Sequence, residues 1–189
     1  GMRSIEVKKN KVYLNNKPVY QRLVLDQGFY PDGIWTAPTD KALKNDIILS
    51  MKAGFNGARL HEKVFEDRFH YWADKLGYIT WAEWGNWGAN ENAKGTETAF
   101  MHEWPKIVEH LKNHPSIITW TPFNETNTLE CNAQHKKLMR LAYDVTKKID
   151  PTRPVNETSG YQHQKTDIWT VHHYEPKPDK LMQALNPKK

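Results

Sequence analysis

Short apolar runs alternate with amphipathic segments along the chain, and polar groups collect just past the end of each run. No glycine-rich dinucleotide fingerprint follows the first core run. Together these observations predict an α/β fold of the (β/α)8 TIM-barrel type in preference to a doubly wound sheet. Six β–α units can be read, whereas a barrel takes eight and typically about 250 residues. The expectation is one incomplete barrel domain over residues 1–189, with strands one to six present and strands seven and eight absent.

A hairpin comes first, with strands at 5–8 and 11–14 turning at Lys9-Asn10. The first core strand is expected at 19–25, followed by a Gly/Pro loop through Pro31-Asp32-Gly33. Thr39 has the hydroxyl to cap a helix over 40–52, which Gly54 ends. Strand two is placed at 57–60, with its helix over 64–76. Strand three is at 78–82, before a loop rich in Gly, Asn and Trp that runs to about residue 95. A helix over 97–112, interrupted by Pro105, leads to strand four at 117–120. A long helix over 130–149 reaches strand five at 154–158. Strand six is expected at 168–171, and a last helix begins near Asp179.

The composition is that of a globular protein, 38 % hydrophobic and 26 % charged. No apolar stretch approaches the roughly 20 residues of a membrane span, so no membrane partner is expected. The net charge of +5 comes from scattered lysines, dense only at the C-terminal pair, and no basic run is interleaved with aromatics. No nucleic-acid partner is therefore expected. Cys131 is the single cysteine, which leaves no intrachain disulfide and no thiolate metal site. Gly1 before Met2 reads as the scar of a cleaved tag. No compartment is legible; a soluble parent, periplasmic or secreted, is compatible with the chain.

In a barrel, the rim at the strands' C-terminal ends is where ligands bind. Strand one delivers Asp26-Gln27 there, strand two Arg59 and His61, and strand three Glu83 and Trp84. Strand four ends in Asn124-Glu125, strand five in Asn156, Glu157 and Ser159, and strand six in His172, His173 and Tyr174. Within HPSIITWTPFNE (residues 114–125), a β-branched and aromatic run stops at an amide and a carboxyl group. A carboxyl group beside apolar neighbours can have its pKa raised enough to donate a proton, so Glu125 is the candidate catalytic acid.

These segments carry a resemblance. GFNGARLHEKVFEDRFHYWADKLGYITWAEW (54–84) resembles the strand-two to strand-three signature of glycoside hydrolase family 2, and HPSIITWTPFNE resembles its acid/base motif. VYQRLVLDQGFYPDG (19–33) and DPTRPVNETSGY (150–161) are similar to its barrel entry and fifth-strand region. The resemblance implies retaining hydrolysis of β-glycosides, with a β-glycoside or oligosaccharide as partner and no cofactor. It implies Glu125 as general acid/base and Asn124 as the amide that binds the sugar 2-hydroxyl. Arg59 matches an arginine near the nucleophile, and Tyr174 or a histidine before it a position facing that nucleophile. His61, Glu83, Trp84 and His173 complete the substrate-binding set. The family's nucleophile is a glutamate on strand seven; no glutamate follows Glu175, so the chain alone is expected to be inactive.

Other readings compete. Arg59 could be an ion-pair partner for Glu83, and Glu83 a supporting rather than a reacting group. Trp84 and Trp87, in a polar loop, are candidates for stacking on a sugar, whereas Trp120 and Trp169 are expected to fill the barrel. His61, His172 and His173 raise a metal hydrolase, but strand one lacks the His-x-His such barrels use, so no metal is expected. The remaining rival is a non-catalytic piece that binds sugar or forms a homo-oligomer through unpaired sheet edges at strands one and six.

Overall fold

The structure, a computed structural model, describes residues 2–126 and 131–186. Gly1, the terminal lysine pair and Glu130, expected to open the long helix, lie outside the described residues. Strands β1 (Ile5–Lys8) and β2 (Lys11–Leu14) turn through Lys9 and Asn10 at φ 51° and 56°. That left-handed pair gives the turn a twist that matches the strands. A second such turn at Asn15 and Asn16 adds β3 (Lys17–Val19) to the same antiparallel sheet.

The core sheet is parallel, in the order β4 (Leu23–Asp26), β5 (Gly57–Leu60), β6 (Ile79–Glu83), β7 (Ile117–Thr121). The sheet continues through a bridge between Trp120 and Val155 and through the parallel pair β8 (Phe123–Asn124) and β9 (Thr158–Ser159). The expected first core strand, 19–25, is two strands. Asn56 separates them, its Nδ2 donating to the Tyr20 carbonyl at 2.8 Å while its Oδ1 accepts from the Arg22 amide at 2.8 Å.

Helix α1 (Asp40–Lys52) starts at Thr39, whose Oγ1 accepts from the Ala42 amide at 3.1 Å. Helix α2 (Asp67–Leu76) begins three residues later than expected, because residues 61–65 are held in the loop at the barrel mouth. Helix α3 (Lys94–Leu111) begins earlier than expected and runs through Pro105 without a break. Helix α4 (Ala133–Ile149) is capped by Asn132, and the short α5 (Pro178–Ala184) closes the described chain.

Residues 168–171 are not a strand. The Ile168 carbonyl accepts from Asn156 Nδ2 at 2.8 Å and the Thr170 amide meets His163 Nε2 at 3.1 Å, so side chains occupy the groups a ladder would use. Trp169 is accordingly 69 % exposed, against Trp120, which is fully buried as expected. The sheet edge expected at strand six is therefore not formed by that segment.

Apolar side chains fall into three clusters that fix the barrel's polarity. Ala58, Leu60, Phe69 and Tyr78 seal the outer face against α1 and α2; Trp104, Ile117, Trp120 and Leu138 seal it against α3 and α4. Inside, Ile79, Ile118 and Leu23 meet Ile5, Val12 and Leu14, so the small antiparallel sheet plugs the strands' N-terminal end. Gly57 makes the close packing possible: a Cβ there would lie 2.1 Å from the Ile79 carbonyl oxygen. The polar ends of the parallel strands are left at the opposite mouth. Among the described residues, no helix is long and apolar enough to cross a membrane.

His70 on α2 is fully buried beside His114, whose ring centroid is 5.2 Å away, and neither of its nitrogens has a hydrogen-bond partner. Burial, with His114 adding to it, lowers the pKa from 6.5 to about 4. Between those values the unfolded chain binds more protons than the folded one. Stability should therefore fall as pH drops from 6.5 to about 4, by up to about 3 kcal/mol. Urea midpoints measured across that range should show the slope in the native chain and a flatter profile in His70→Leu.

Candidate active site

Three consecutive strand ends and one loop converge on the Arg59 guanidinium. Its Nε donates to Glu83 Oε1, its Nη2 to Asn124 Oδ1 at 2.6 Å, and its Nη1 lies 3.4 Å from His172 Nε2. Strand alternation explains the convergence. Gly57, Arg59 and His61 point into the barrel from β5 and its end, while Ala58 and Leu60 face the helices. On β6 the same alternation turns Glu83 inward and Trp84 outward.

Glu83 is a fully buried carboxylate with every approach taken. Besides Arg59, its Oε2 meets His61 Nδ1 at 3.2 Å and accepts from the Glu62 amide at 3.1 Å. The ion-pair reading of Arg59 is thus what the geometry shows, and Glu83 acts through Arg59 and His61. Trp84 is not a sugar-facing residue. It is 6 % exposed, donates its Nε1 to Glu103 at 2.8 Å and packs edge-on against Phe100 and Phe123. Trp87, 74 % exposed and edge-on to His61, is the tryptophan at the mouth.

Glu125 follows β8 with φ 46°, and Glu62 follows β5 with φ 57°. Left-handed backbone at a non-glycine residue costs of order 1–3 kcal/mol and gathers at functional sites. Glu125 Oε1 accepts from Tyr174 Oη at 2.7 Å and is hydrogen-bonded to His172 Nδ1. Arg59 can only donate, so His172 Nε2 is an acceptor, shared with Ser159 Oγ at 2.9 Å. The Nδ1 proton therefore points at Glu125. His172 is the histidine that meets Glu125, and the expected His173 lines the same cleft. His173 is exposed on the rim and takes the Glu175 amide at 3.2 Å.

The carboxyl pKa of Glu125 runs opposite to the expectation. Partial burial pushes it up, but the Tyr174 and His172 hydrogen bonds, with the charge of Arg59, together hold it below the ordinary glutamate value. Glu62 goes the other way: burial raises its pKa although the Asn86 and Trp87 amides donate to its Oε2 at 2.7 and 2.8 Å.

The cleft at this mouth is about 480 Å³, with Arg59, His61, Asn124, Glu125, His172 and Tyr174 among its walls. A neighbouring hollow of about 220 Å³ lies between Glu125, Glu62, Glu91 and Trp87. Asn86 joins the two sides, its Oδ1 accepting from the Asn124 amide at 2.7 Å and its Nδ2 donating to Glu91 at 3.0 Å. Glu157, at the end of strand five, turns away and anchors the next loop by accepting from the Gln164 and Lys165 amides and pairing with His163.

Sequence reasoning missed Glu62 and Asn86, and of the two tryptophans it offered for stacking, Trp84 is turned into the core. Among the described residues, His61, Glu62 and Glu83 bring metal-type ligand atoms within 4.8 Å of one another. Both Glu83 oxygens are already engaged, and the Arg59 cation beside them opposes a divalent ion.

A family model described as "Glycosyl hydrolases family 2, TIM barrel domain" matches residues 5–187. The β-galactosidase of Photobacterium profundum is 29 % identical over 181 residues, and the alignment takes in 89 % of this chain and 16 % of that protein. The β-galactosidase of Lactococcus lactis is 27 % identical over 172 residues, covering 85 % and 16 % respectively. This chain thus spans about one sixth of the length of these curated relatives. Among solved structures, a Parabacteroides merdae β-glucuronidase superposes with a TM-score of 0.73 at 20 % identity, covering 82 % of this chain and 20 % of that one. A Dictyoglomus thermophilum β-glucuronidase gives 0.70 at 22 % identity, covering 82 % and 28 %. At such identities the structural likeness is one of fold.

Because Tyr174 donates to Glu125, Tyr174→Phe should raise the Glu125 pKa toward the ordinary value of 4.5. A carboxyl 13C titration checks it. The native carboxyl should titrate below an unperturbed glutamate, so any stability it adds is present above pH 4.5 and lost as pH falls through its folded pKa.

Proposed function

The chain belongs to family 2 of the glycosyl hydrolases, as its TIM barrel domain, and from that premise we propose that it carries the acid/base half of a retaining β-glycosidase site. The observation that carries the reading is the placement of Glu125. It stands at a strand's C-terminal end, solvent-reachable in the main cleft, beside an amide and an arginine that are themselves fixed by a buried carboxylate. A partly exposed acid flanked by rigid donors is what leaving-group protonation needs.

Retention requires two carboxyl groups roughly 5–5.5 Å apart. In the proposed sequence of events, an ionised carboxylate attacks the anomeric carbon as the bond to the leaving oxygen breaks. Glu125 gives that oxygen its proton. The resulting carboxylate then takes a proton from water, which attacks the same carbon and frees the sugar. The resemblance implies a nucleophile on a seventh strand, and the proposed reaction needs that carboxylate beside Glu125.

Asn124 fits the role of hydroxyl donor. Arg59 draws the amide oxygen to itself, which presents the Nδ2 hydrogens to a ligand. The β-galactosidase and β-glucuronidase relatives support a β-glycoside as substrate, with the sugar left to the loops. Glu125→Gln, made in a protein that carries this chain with its nucleophile, should cut turnover of glycosides with poor leaving groups by about 10²–10⁴-fold. Activated aryl glycosides, which need no proton, should lose far less in the cleavage step. Equal losses on the two substrate types would remove Glu125 from the acid role.

A further inference from the structure

A second cleft of about 270 Å³ opens beside the main one, walled by Phe29, Trp35, Trp87, Gln27, Glu62 and His61. Three of these, Gln27, His61 and Trp87, also wall the cleft that holds Glu125. Large apolar rings rarely stand in water on a fixed surface without a ligand to cover them. Here Phe29 is 65 % exposed, Trp35 50 % and Trp87 74 %, and the Phe29 and Trp35 rings stack at 6.2 Å with 16° between their planes.

The loop that bears these rings is pinned. Lys63, itself buried, donates its Nζ to the Trp35 carbonyl at 2.7 Å and lies 3.4 Å from the Gly28 carbonyl. Gly28 leaves room for it, since a Cβ there would lie 2.8 Å from the lysine Nζ. Trp35 Nε1 donates to the Gln27 carbonyl at 3.1 Å, and the Tyr30 amide donates to the Ile34 carbonyl at 2.8 Å. Ile34 sits at φ 56°, a conformation a β-branched residue adopts only under constraint. Strain and exposed aromatics in one short loop, pinned by a buried cation from the segment after β5, indicate a preorganised platform.

We propose that this platform is a second sugar subsite, so that the substrate is a β-linked oligosaccharide whose adjoining neutral pyranose stacks on Trp35 and Phe29. The inference rests on the glycosidase reading for the ring held at Glu125. Flat aromatic faces interleaved with carboxylate and amide groups suit a pyranose, which has an apolar face and an equatorial belt of hydroxyls. Glu62 also lines the cleft and brings a carboxyl group beside the rings. The Glu62 carboxylate argues against a phosphate-bearing ligand in the same cleft.

The test is titration of the 15N-labelled chain, followed at the Trp indole signals, with methyl β-galactoside as single-ring probe and lactose and galactosyl-lactose as longer ones. The longer sugars should shift the Trp35 indole and bind about three- to tenfold more tightly than the single ring. Trp35→Ala and, as a second exposed-site variant, Phe29→Ala should remove that advantage and leave single-ring affinity in place. Equal affinities in the native chain, no response at Trp35, or an advantage that survives both variants would overturn the subsite. Asn124→Ala, which leaves the Arg59–Glu83 pair in place, separates the two ideas: single-ring binding that ignores it counts against the site at Glu125, while a Trp35-dependent advantage would still uphold the platform.

Discussion

The buried ion pair between Arg59 and Glu83 is the constraint on which the mouth of this barrel depends. Glu83 has no exposed surface and Arg59 little, so each is tolerable only because of the other and the hydrogen bonds around them. From that pair the guanidinium reaches Asn124 and His172, and the carboxylate reaches His61 and the Glu62 amide. One cation thus fixes groups from β5, β6, β8 and the loop after β9. Removing either partner would strand a buried charge, a loss of several kcal/mol, and release every group at the mouth at once.

The rest of the architecture makes that pair possible. Parallel strands deliver their ends to one side, and the β1–β3 sheet plugs the other with Ile5, Val12 and Leu14. The irregularity between β6 and β7 around Thr80 and Trp81 lets Ile117 and Trp120 both face the helices, and the chain still arrives at Asn124 pointing inward. On the outside, Trp120 Nε1 donates to Asp150, which is paired with Arg153, so a second buried ion pair ties α4 to the sheet's underside. The mouth is free to store strain at Glu62 and Glu125 because these clusters hold the frame.

Much of this was legible in the chain. Periodicity gave the core units, Thr39 its cap and the Lys9-Asn10 turn its hairpin, because those features are set within a few residues. The rim residues were legible as a set, since strand ends in a barrel share one face. What was not legible depended on partners distant in sequence. Asn56 splits the first core strand from thirty residues away, and side chains of Asn156 and His163 displace the ladder expected at 168–171. Separating Trp87 from Trp84, and telling which of His172 and His173 meets Glu125, required the phase of the chain after the strand had ended, where the two-residue period no longer applies. Phe29 and Trp35 carried no periodic signal; the buried Lys63 and the bonds within their loop show that it is fixed.

The direction of the Glu125 pKa follows from the same frame. Tyr174, His172 and Arg59 all favour the carboxylate, and in the described chain they outweigh a modest desolvation. That balance suits the second half of the proposed double displacement, in which Glu125 would accept a proton from water. The first half requires the opposite state, and the group that would reverse the balance is a neighbouring carboxylate. A negative charge roughly 5–5.5 Å away repels ionisation of Glu125 and competes for Arg59 and Tyr174 as partners. In the proposed mechanism a nucleophile covalently bound to sugar would lose its charge, and the donors seen here would regain control. A site tuned toward the carboxylate by its own residues and toward the acid by its partner would change protonation state in step with the reaction.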